Sequence, residues 1–576
     1  MGQIKEDPRT LSIAHIAIIA VLGFIIYANS FGNQFLYDDD RLIVDNIYVK
    51  NLSYLPKVFT QDIGAGANFS YSFYRPVQIF TYMIDYFLWG LSVFGYHLTN
   101  TIMHILVGIF IYIFISSLFK NTRAGFFTSI LFMVHPVHVE AVAYISGRAD
   151  VLAGLGIAAF FTFYIKYLDS NKTAFFVLSA ACYVLSLLSK EYAIILPFLL
   201  CLYHYVFKYK IKVVPACVIG AITALYITLR LTVFSFPLSE PVIPQPFTER
   251  LAGFFAAIFQ YARIIFFPFG LHMEYGKRTF GLTDPMVLAG VIILAFFLLY
   301  VYVTRNEKPI FFLLGWFCLC MLPVSNLYPI NAYMAEHWLY VPSIGLFGVV
   351  GYFLAKLSDI NGFKITAFSV LGLVAIFFGY LTITQNVYWK DPITFYERTL
   401  KYTDAARIYN NLGNMYADMG DYEKSIGSYK KAIESDPQYT GAYSNLGNLY
   451  NKLGKLQDAV EIYKKAIAVN PRFADAYNNL GTAYDALGDH EAAMNAYRQA
   501  LEIRPNYSET YSNMGNISYR LGHFDEAARL YKKAVDINPY NAIGYYNLSK
   551  AYRKLGQEQA ADEAYGIAKE LNPNLP

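Results

Sequence analysis

Hydrophobic positions divide the chain into two parts. Long apolar runs follow one another at about 11–29, 96–119, 124–140, 150–166, 173–188, 193–207, 213–233, 285–304, 309–326, 338–355 and 363–384. Runs of this kind predict helices that cross a hydrocarbon core of about 30 Å. A twelfth run, 251–269, is interrupted by Arg263 and Pro268. Beyond residue 405 the long runs stop, and a shorter pattern recurs every 34 residues.

Basic residues decide how the runs are threaded. Lys5 and Arg9 precede the first run, so the excess of positive charge on the cytoplasmic side puts the N-terminus inside and the next loop outside. Lys120/Arg123, Lys166/Lys172, Lys208/Lys210/Lys212, Arg305/Lys308 and Lys356/Lys364 all fall inside only if 251–269 does not span. That run is therefore read as an interfacial or re-entrant helix, which leaves about 11 spans and an outer C-terminal tail. The first run shows no small-residue cleavage site and is read as a retained anchor. The start lacks the Ser/Thr at position 6 that myristoylation needs. The outer loop, about residues 30–95, contains Tyr74-Arg75-Pro76 and an amphipathic helix from Val77 to Leu88. Loops this long are usually functional when ordered.

In the tail, a 34-residue offset aligns Tyr409, Tyr443, Tyr477, Tyr511 and Tyr545, then Leu412, Leu446, Leu480, Met514 and Leu548. Gly413, Gly447, Gly481 and Gly515 follow, with Ser549 in the last place. Ala432, Ala466, Ala500, Ala534 and Ala568 align as well, as do Pro437, Pro471, Pro505, Pro539 and Pro573. Period and pattern resemble the tetratricopeptide repeat, in which small residues let two helices cross closely. Five repeats fill 406–576, and a connecting segment, 389–405, joins them to the last span. Asn411, Asn445, Asn479, Asn513 and Asn547 occupy one position of every repeat. This ladder resembles that of the nucleocytoplasmic O-GlcNAc transferase and is read as an acceptor-binding surface. Asparagine before Leu-Gly is equally common in repeats with other partners.

Composition narrows the function. Residues 1–404 hold 27 Lys+Arg and 22 Asp+Glu, and residues 405–576 hold 19 and 20, so no basic face accumulates and nucleic acid is not a partner. All five cysteines (Cys182, Cys201, Cys217, Cys318, Cys320) lie in apolar runs, without metal spacing to histidine. No metal or cofactor is expected, although the aspartate triplet leaves a divalent ion open.

That triplet, Asp38-Asp39-Asp40, follows the first span. It reads equally as a solvated capping loop or as active-site carboxylates. On the same side the predicted topology places His135, His138, Glu140, Arg148 and Asp150, then Lys190-Glu191, then Glu336-His337. Ionisable groups bordering apolar helices are expensive and mark functional sites. A phosphorylated lipid donor needs cations for its phosphate, and an attacking hydroxyl needs a carboxylate base. Structural ion pairing (Glu140 with Arg148) and interfacial anchoring (Lys190-Glu191) are the competing readings.

Together these segments resemble the TMTC family, the transmembrane and tetratricopeptide-repeat-containing O-mannosyltransferases of the GT-C superfamily. The resemblance rests on Tyr37-Asp38-Asp39, Tyr74-Arg75-Pro76 and Gly95-Tyr96-His97-Leu98-Thr99-Asn100 with His104. It continues through His135-Pro136-Val137-His138-Val139-Glu140, Gly147-Arg148-Ala149-Asp150, Lys190-Glu191 and Glu336 to Ser343. The family often has arginine where this chain has His337. The resemblance implies an all-α protein, with a polytopic GT-C-like membrane domain at 1–388 and a repeat superhelix. It implies a glycosyltransferase (EC 2.4.1) moving a sugar, mannose by preference, from a polyprenyl-phosphate donor to Ser/Thr hydroxyls of exported proteins, with inversion. Asp38 would be the base and Asp39 would position substrate, with Arg148 and Lys190 on the donor phosphate. His135, His138, Glu140, Asp150, Glu191, Glu336 and His337 would shape the sugar site. The alternatives are another donor sugar, a non-protein acceptor, a lipid carrier, or a membrane-anchored repeat scaffold. The expected location is a prokaryotic plasma membrane with the repeats outside, or the endoplasmic reticulum in a eukaryote.

Overall fold

The structure is a computed structural model that describes residues 8–67, 69–236, 246–276, 278–330 and 332–576, with side chains from residue 12 onward. Contacts divide the chain between Thr403 and Asp404 into two compact units.

In the first unit every one of the eleven apolar runs lies on a helix. Among the described residues six helices are long and apolar enough to cross a membrane: Ser12–Ser30, Val93–Phe119, Ile145–Ser170, Val213–Thr232, Pro285–Thr304 and Lys364–Val387. A seventh is formed if Thr122–Val134 and Pro136–Ala143, bent by 60° at His135, count as one broken span. Thr173–Leu187, Glu191–Phe207 and Lys308–Val324 are apolar but shorter. The expected count of eleven spans is therefore not reached by length and composition, because 15 to 17 residues fall short of the roughly 20 that a bilayer core requires. Phe247–Phe266, expected not to span, carries Glu249, Arg250 and Arg263 and is not among the six. Close approach packs the central helices: a Cβ on Gly156 would stand 2.8 Å from the Cys182 carbonyl, so Arg148–Ser170 and Thr173–Leu187 cross backbone to backbone there.

The loop at 30–95 is a folded element. Leu42, Ile43, Val58, Ile63, Ile79, Tyr82, Met83 and Tyr96 form its core together with Ile145. Buried Asp62 organises it by accepting the backbone N–H groups of Gly64 (2.8 Å), Tyr71 (3.0 Å) and Phe73 (3.0 Å). The amphipathic helix expected from Val77 spans Pro76–Trp89, and it buries Gln78, Ile79, Tyr82, Met83 and Asp85. The connecting helix, Pro392–Thr399, belongs to this first unit. Asp391 caps it, Phe395 packs on Trp389, and the Arg398 guanidinium lies 4.1 Å from the Tyr388 ring.

The second unit is five helix pairs from Ala406 to Leu571. The repeat glycine has a direct cause: a Cβ on Gly447 would stand 2.4 Å from the ring of Tyr463, and the same holds for Gly413/Tyr429, Gly481/Tyr497 and Gly515/Tyr531. The tyrosine hydroxyl then enters a polar chain. Tyr463 donates to Asn448 Oδ1 (2.7 Å), and Asn479 of the next repeat donates to the same oxygen (3.1 Å). Tyr429, Asn414 and Asn445 repeat this arrangement, as do Tyr531, Asn516 and Asn547. At alternate joints Asn445 also reaches Asn410 (2.9 Å), and Asn513 reaches Asn478 (3.3 Å). Where Ser549 replaces the glycine, Tyr565 instead donates to the Pro576 carbonyl. Four of the five ladder asparagines thus stitch neighbouring repeats with their amide nitrogens.

Candidate functional site

Asp38 and Asp39 sit at the turn that leaves the first span, and their environments differ. Tyr37, just before them, adopts a left-handed backbone (φ 55°). Asp39 is 1% exposed and fully engaged: Leu36 N–H donates to one oxygen (3.0 Å), and the N–H (2.9 Å) and hydroxyl of Ser146 donate to the other. Burial pushes its pKa up to about 7, against the pull of those hydrogen bonds and with a further push from the Asp38 charge. Asp38 is half-buried. Tyr71 donates to its Oδ1 (3.0 Å), and the Asp38 N–H donates to the Tyr144 hydroxyl (3.1 Å). Burial, then the Asp38 charge, hold the Tyr71 phenol well above its ordinary value, so it stays a donor. Asp40 is exposed.

Arg148 does not occupy the place expected for a phosphate ligand. It is wholly buried, with Nη1 2.6 Å from Asp85 Oδ2. Nε donates to Asn100 Oδ1 (2.6 Å) and Nη2 to the Tyr96 carbonyl (3.0 Å), and the guanidinium faces the Tyr82 ring at 4.6 Å. An arginine closed in this way has no face left for a ligand, and it ties the Pro76–Trp89 helix to the start of Arg148–Ser170. Asp150 is likewise taken by Lys190 (2.6 Å), with both side chains mostly buried. Glu191 accepts Arg75 Nε (3.0 Å) and the Tyr74 N–H (3.3 Å).

A third cluster gathers Glu140, Glu336 and His337. The His337 N–H (3.0 Å) and ring Nδ1 (2.8 Å) both meet the Glu140 carboxylate. Glu336, 2% exposed, accepts the His272 N–H (2.6 Å) and the Tyr275 hydroxyl (2.5 Å). Burial, then the neighbouring Glu140 charge, raise its pKa well above the ordinary carboxylate range. His135 and His138 border this third cluster, since the Pro136–His138 turn packs against Glu336–Leu339, but no hydrogen bond joins them to its carboxylates among the described residues. His135 donates through Nε2 to the Ile265 carbonyl (2.9 Å), His138 packs between Phe132 and Tyr340, and both are fully buried. Among the described residues no group of three or more His, Cys, Asp or Glu is gathered to hold a metal ion.

The sequence-predicted residues therefore meet in pairs: Asp39 with Ser146, Lys190 with Asp150, Arg75 with Glu191, and Glu140 with His337. Sequence reasoning missed Asp62, Tyr71, Asp85, Tyr144, His272 and Tyr275. Tyr71 and Asp85 fall within the 30–95 loop already singled out, and Tyr144 sits inside the quoted 135–150 stretch. Asp62, His272 and Tyr275 carry no local signal.

Comparison with known proteins agrees with both units. Tetratricopeptide-repeat models match residues 439–506 and 542–575, and a TPR-repeat model matches 413–454 and 515–556. The protein O-mannosyl-transferase TMTC3 of Mus musculus is 25% identical over 449 residues, 70% of this chain and 49% of its own length. The protein O-mannosyl-transferase F38B6.6 of Caenorhabditis elegans is 29% identical over 459 residues, 76% of this chain and 64% of its own. The human protein O-mannosyl-transferase TMTC1 is 38% identical over 160 residues, 27% of this chain and 18% of its own. The chain spans about half the length of the TMTC3 relatives. Most of the chain is thus similar to TMTC protein O-mannosyl-transferases, with six helices among the described residues long and apolar enough to cross a membrane and tetratricopeptide repeats as its C-terminal unit.

Proposed function

We propose that this chain transfers mannose from a polyprenyl-phosphate donor to Ser/Thr hydroxyls of exported proteins, at the outer face of the membrane, while the repeats hold the acceptor. The observation that carries the reading is the pair of adjacent carboxylates. Asp39 is locked in the interior, while Asp38 is half-buried with one oxygen braced by Tyr71. Relatives named protein O-mannosyl-transferases support the sugar and the acceptor class.

In this mechanism Asp38 takes the proton from the acceptor hydroxyl as its oxygen attacks the anomeric carbon. The bond from that carbon to the phosphate oxygen breaks on the opposite side, so configuration inverts and the lipid phosphate leaves as an anion. Asp39 acts as a positioning residue: through Ser146 it fixes the turn that presents Asp38. Glu140, Glu336 and His337 supply the hydrogen bonds that orient sugar hydroxyls.

The test is transfer of label from polyprenyl-phosphomannose to a Ser/Thr peptide by the purified full chain. Asp38→Asn is expected to lower the rate about 10²–10⁴-fold, the usual worth of a general base, with thermal unfolding unchanged. Near-wild-type transfer by that variant would sink the assignment.

A further inference from the structure

The closure of Arg148 leaves open which groups meet the phosphate, and a cluster of side chains beside Val213–Thr232 answers it. Tyr226 and Arg230 stand four residues apart on that helix and so share a face. Arg230 donates to the carbonyls of Ser72 (3.3 Å) and Phe234 and, among the described residues, meets no carboxylate. A cation satisfied only by carbonyl dipoles at the end of an apolar helix retains an uncompensated charge. Tyr226 is 9% exposed, and its buried hydroxyl has no hydrogen-bond partner among the described residues, although Glu191, Arg230, Arg75 and Tyr74 act on it electrostatically. Such an orphan is rare in a native protein and calls for a ligand. Arg75 completes the cluster. It spends Nε on Glu191, and among the described residues no bond is made to its terminal nitrogens. The wall is a stack of Tyr74 on Phe234 (4.2 Å, 11°).

We infer that Arg230, Arg75 and the Tyr226 hydroxyl seat the phosphate of a lipid, which enters sideways past the exposed apolar face of Val213–Thr232. The helix exposes Val214 (70%), Leu225 (60%) and Leu231 (74%) on its outer side, a surface suited to an alkyl or prenyl chain. The seat is continuous with the base: Tyr71 braces Asp38, the next carbonyl binds Arg230, and Arg75 follows three residues on. Four residue steps span at most about 14 Å, a distance that one sugar ring, its phosphate and the flanking side chains bridge. The assignment rests on the donor being a polyprenyl phosphate, and it names that donor's anchoring residues.

Binding of a fluorescent polyprenyl phosphate without sugar, to the full chain in phosphatidylcholine nanodiscs, tests it separately from transfer. Arg230→Gln and Arg75→Gln are each expected to weaken binding about tenfold or more, as for loss of a charge-assisted hydrogen bond. Tyr226→Phe should weaken it several-fold with thermal unfolding unchanged, since its hydroxyl holds nothing inside the protein. Wild-type affinity in all three variants overturns the seat. Equal displacement of the probe by short-chain phosphatidic acid reassigns the seat to a membrane phospholipid and overturns its role for the donor. If the wild-type chain binds no polyprenyl phosphate, the donor itself is wrong, whereas intact binding with no loss of transfer in Asp38→Asn refutes only the base.

Discussion

The membrane unit and the repeat unit bury polar groups in opposite ways. In the membrane unit each buried polar contact occurs once: Arg148 with Asp85, Asp39 with Ser146, Glu336 with Tyr275. In the repeat unit one contact is copied along the chain, tyrosine to asparagine to the next asparagine, at joint after joint. A copied contact can weaken at one joint and leave the rest standing, because each repeat leans only on its neighbours. A contact that occurs once has no substitute. The unit with unique polar contacts is the one that holds the candidate chemistry, and the unit with copied contacts supplies a regular surface.

The largest expected effect tests uniqueness. Arg148→Met leaves Asp85 charged and buried without its counter-ion, with only the Thr99 hydroxyl still donating to it, which costs about 3–5 kcal/mol, and it should appear as a large drop in the unfolding temperature of the membrane unit. Adding Asp85→Asn should recover part of the loss. A single variant that melts like wild type would show the pair is no keystone. Next comes Asp39. Its ordinary pKa is 3.8 and its folded value about 7, so between those limits the folded chain holds a proton that the unfolded chain has released. Stability should therefore fall as pH rises from about 4 to 7 and level off above, by an amount on the order of a few kcal/mol. Asp39→Asn should flatten that slope, and an unchanged slope would place the titration elsewhere. The smallest effect belongs to the repeats. Gly447→Ala pushes a methyl group into the Tyr463 ring, which costs about 1–3 kcal/mol. Hydrogen exchange should speed up in the two helices of that repeat and not in the membrane unit, and an effect spread over the whole chain would erase the contrast.

How much was legible in the sequence follows the same division. The eleven apolar runs and the 34-residue period could be read because both are patterns, and the helices fall where the patterns lie. The number of spans could not, since Thr173–Leu187 and Ser12–Ser30 look alike as apolar runs and differ in length once folded. Asp38 and Asp39 stood out as carboxylates at a span exit, but nothing local says that one faces inward and the other does not. That depends on Ser146 and Tyr71, each remote in the chain. Arg148 misled for a physical reason. An arginine at the start of an apolar helix looks the same whether it waits for a phosphate or is closed by an aspartate, and its partner Asp85 lies 63 residues earlier on the inner face of another helix. Asp62 was invisible because its partners are backbone N–H groups, which leave no trace in side-chain spacing. The asparagine ladder was visible as a row, but its bonding to the preceding repeat was not.

The joints of that ladder are not all alike. Asn410 and Asn478 receive the next repeat's asparagine, whereas Ser444 and Ser512, at the same position, leave buried hydroxyls without a partner. The joints therefore run in two kinds, one after the other, and the neighbourhoods Tyr409-Asn410-Asn411 and Tyr477-Asn478-Asn479 match each other as Tyr443-Ser444-Asn445 and Tyr511-Ser512-Asn513 do. Over the first four repeats the structural period of the joints is therefore a pair of repeats, twice 34 residues. An array that gains or loses one such block keeps every joint between unlike neighbours. One that changes by a single repeat sets like against like.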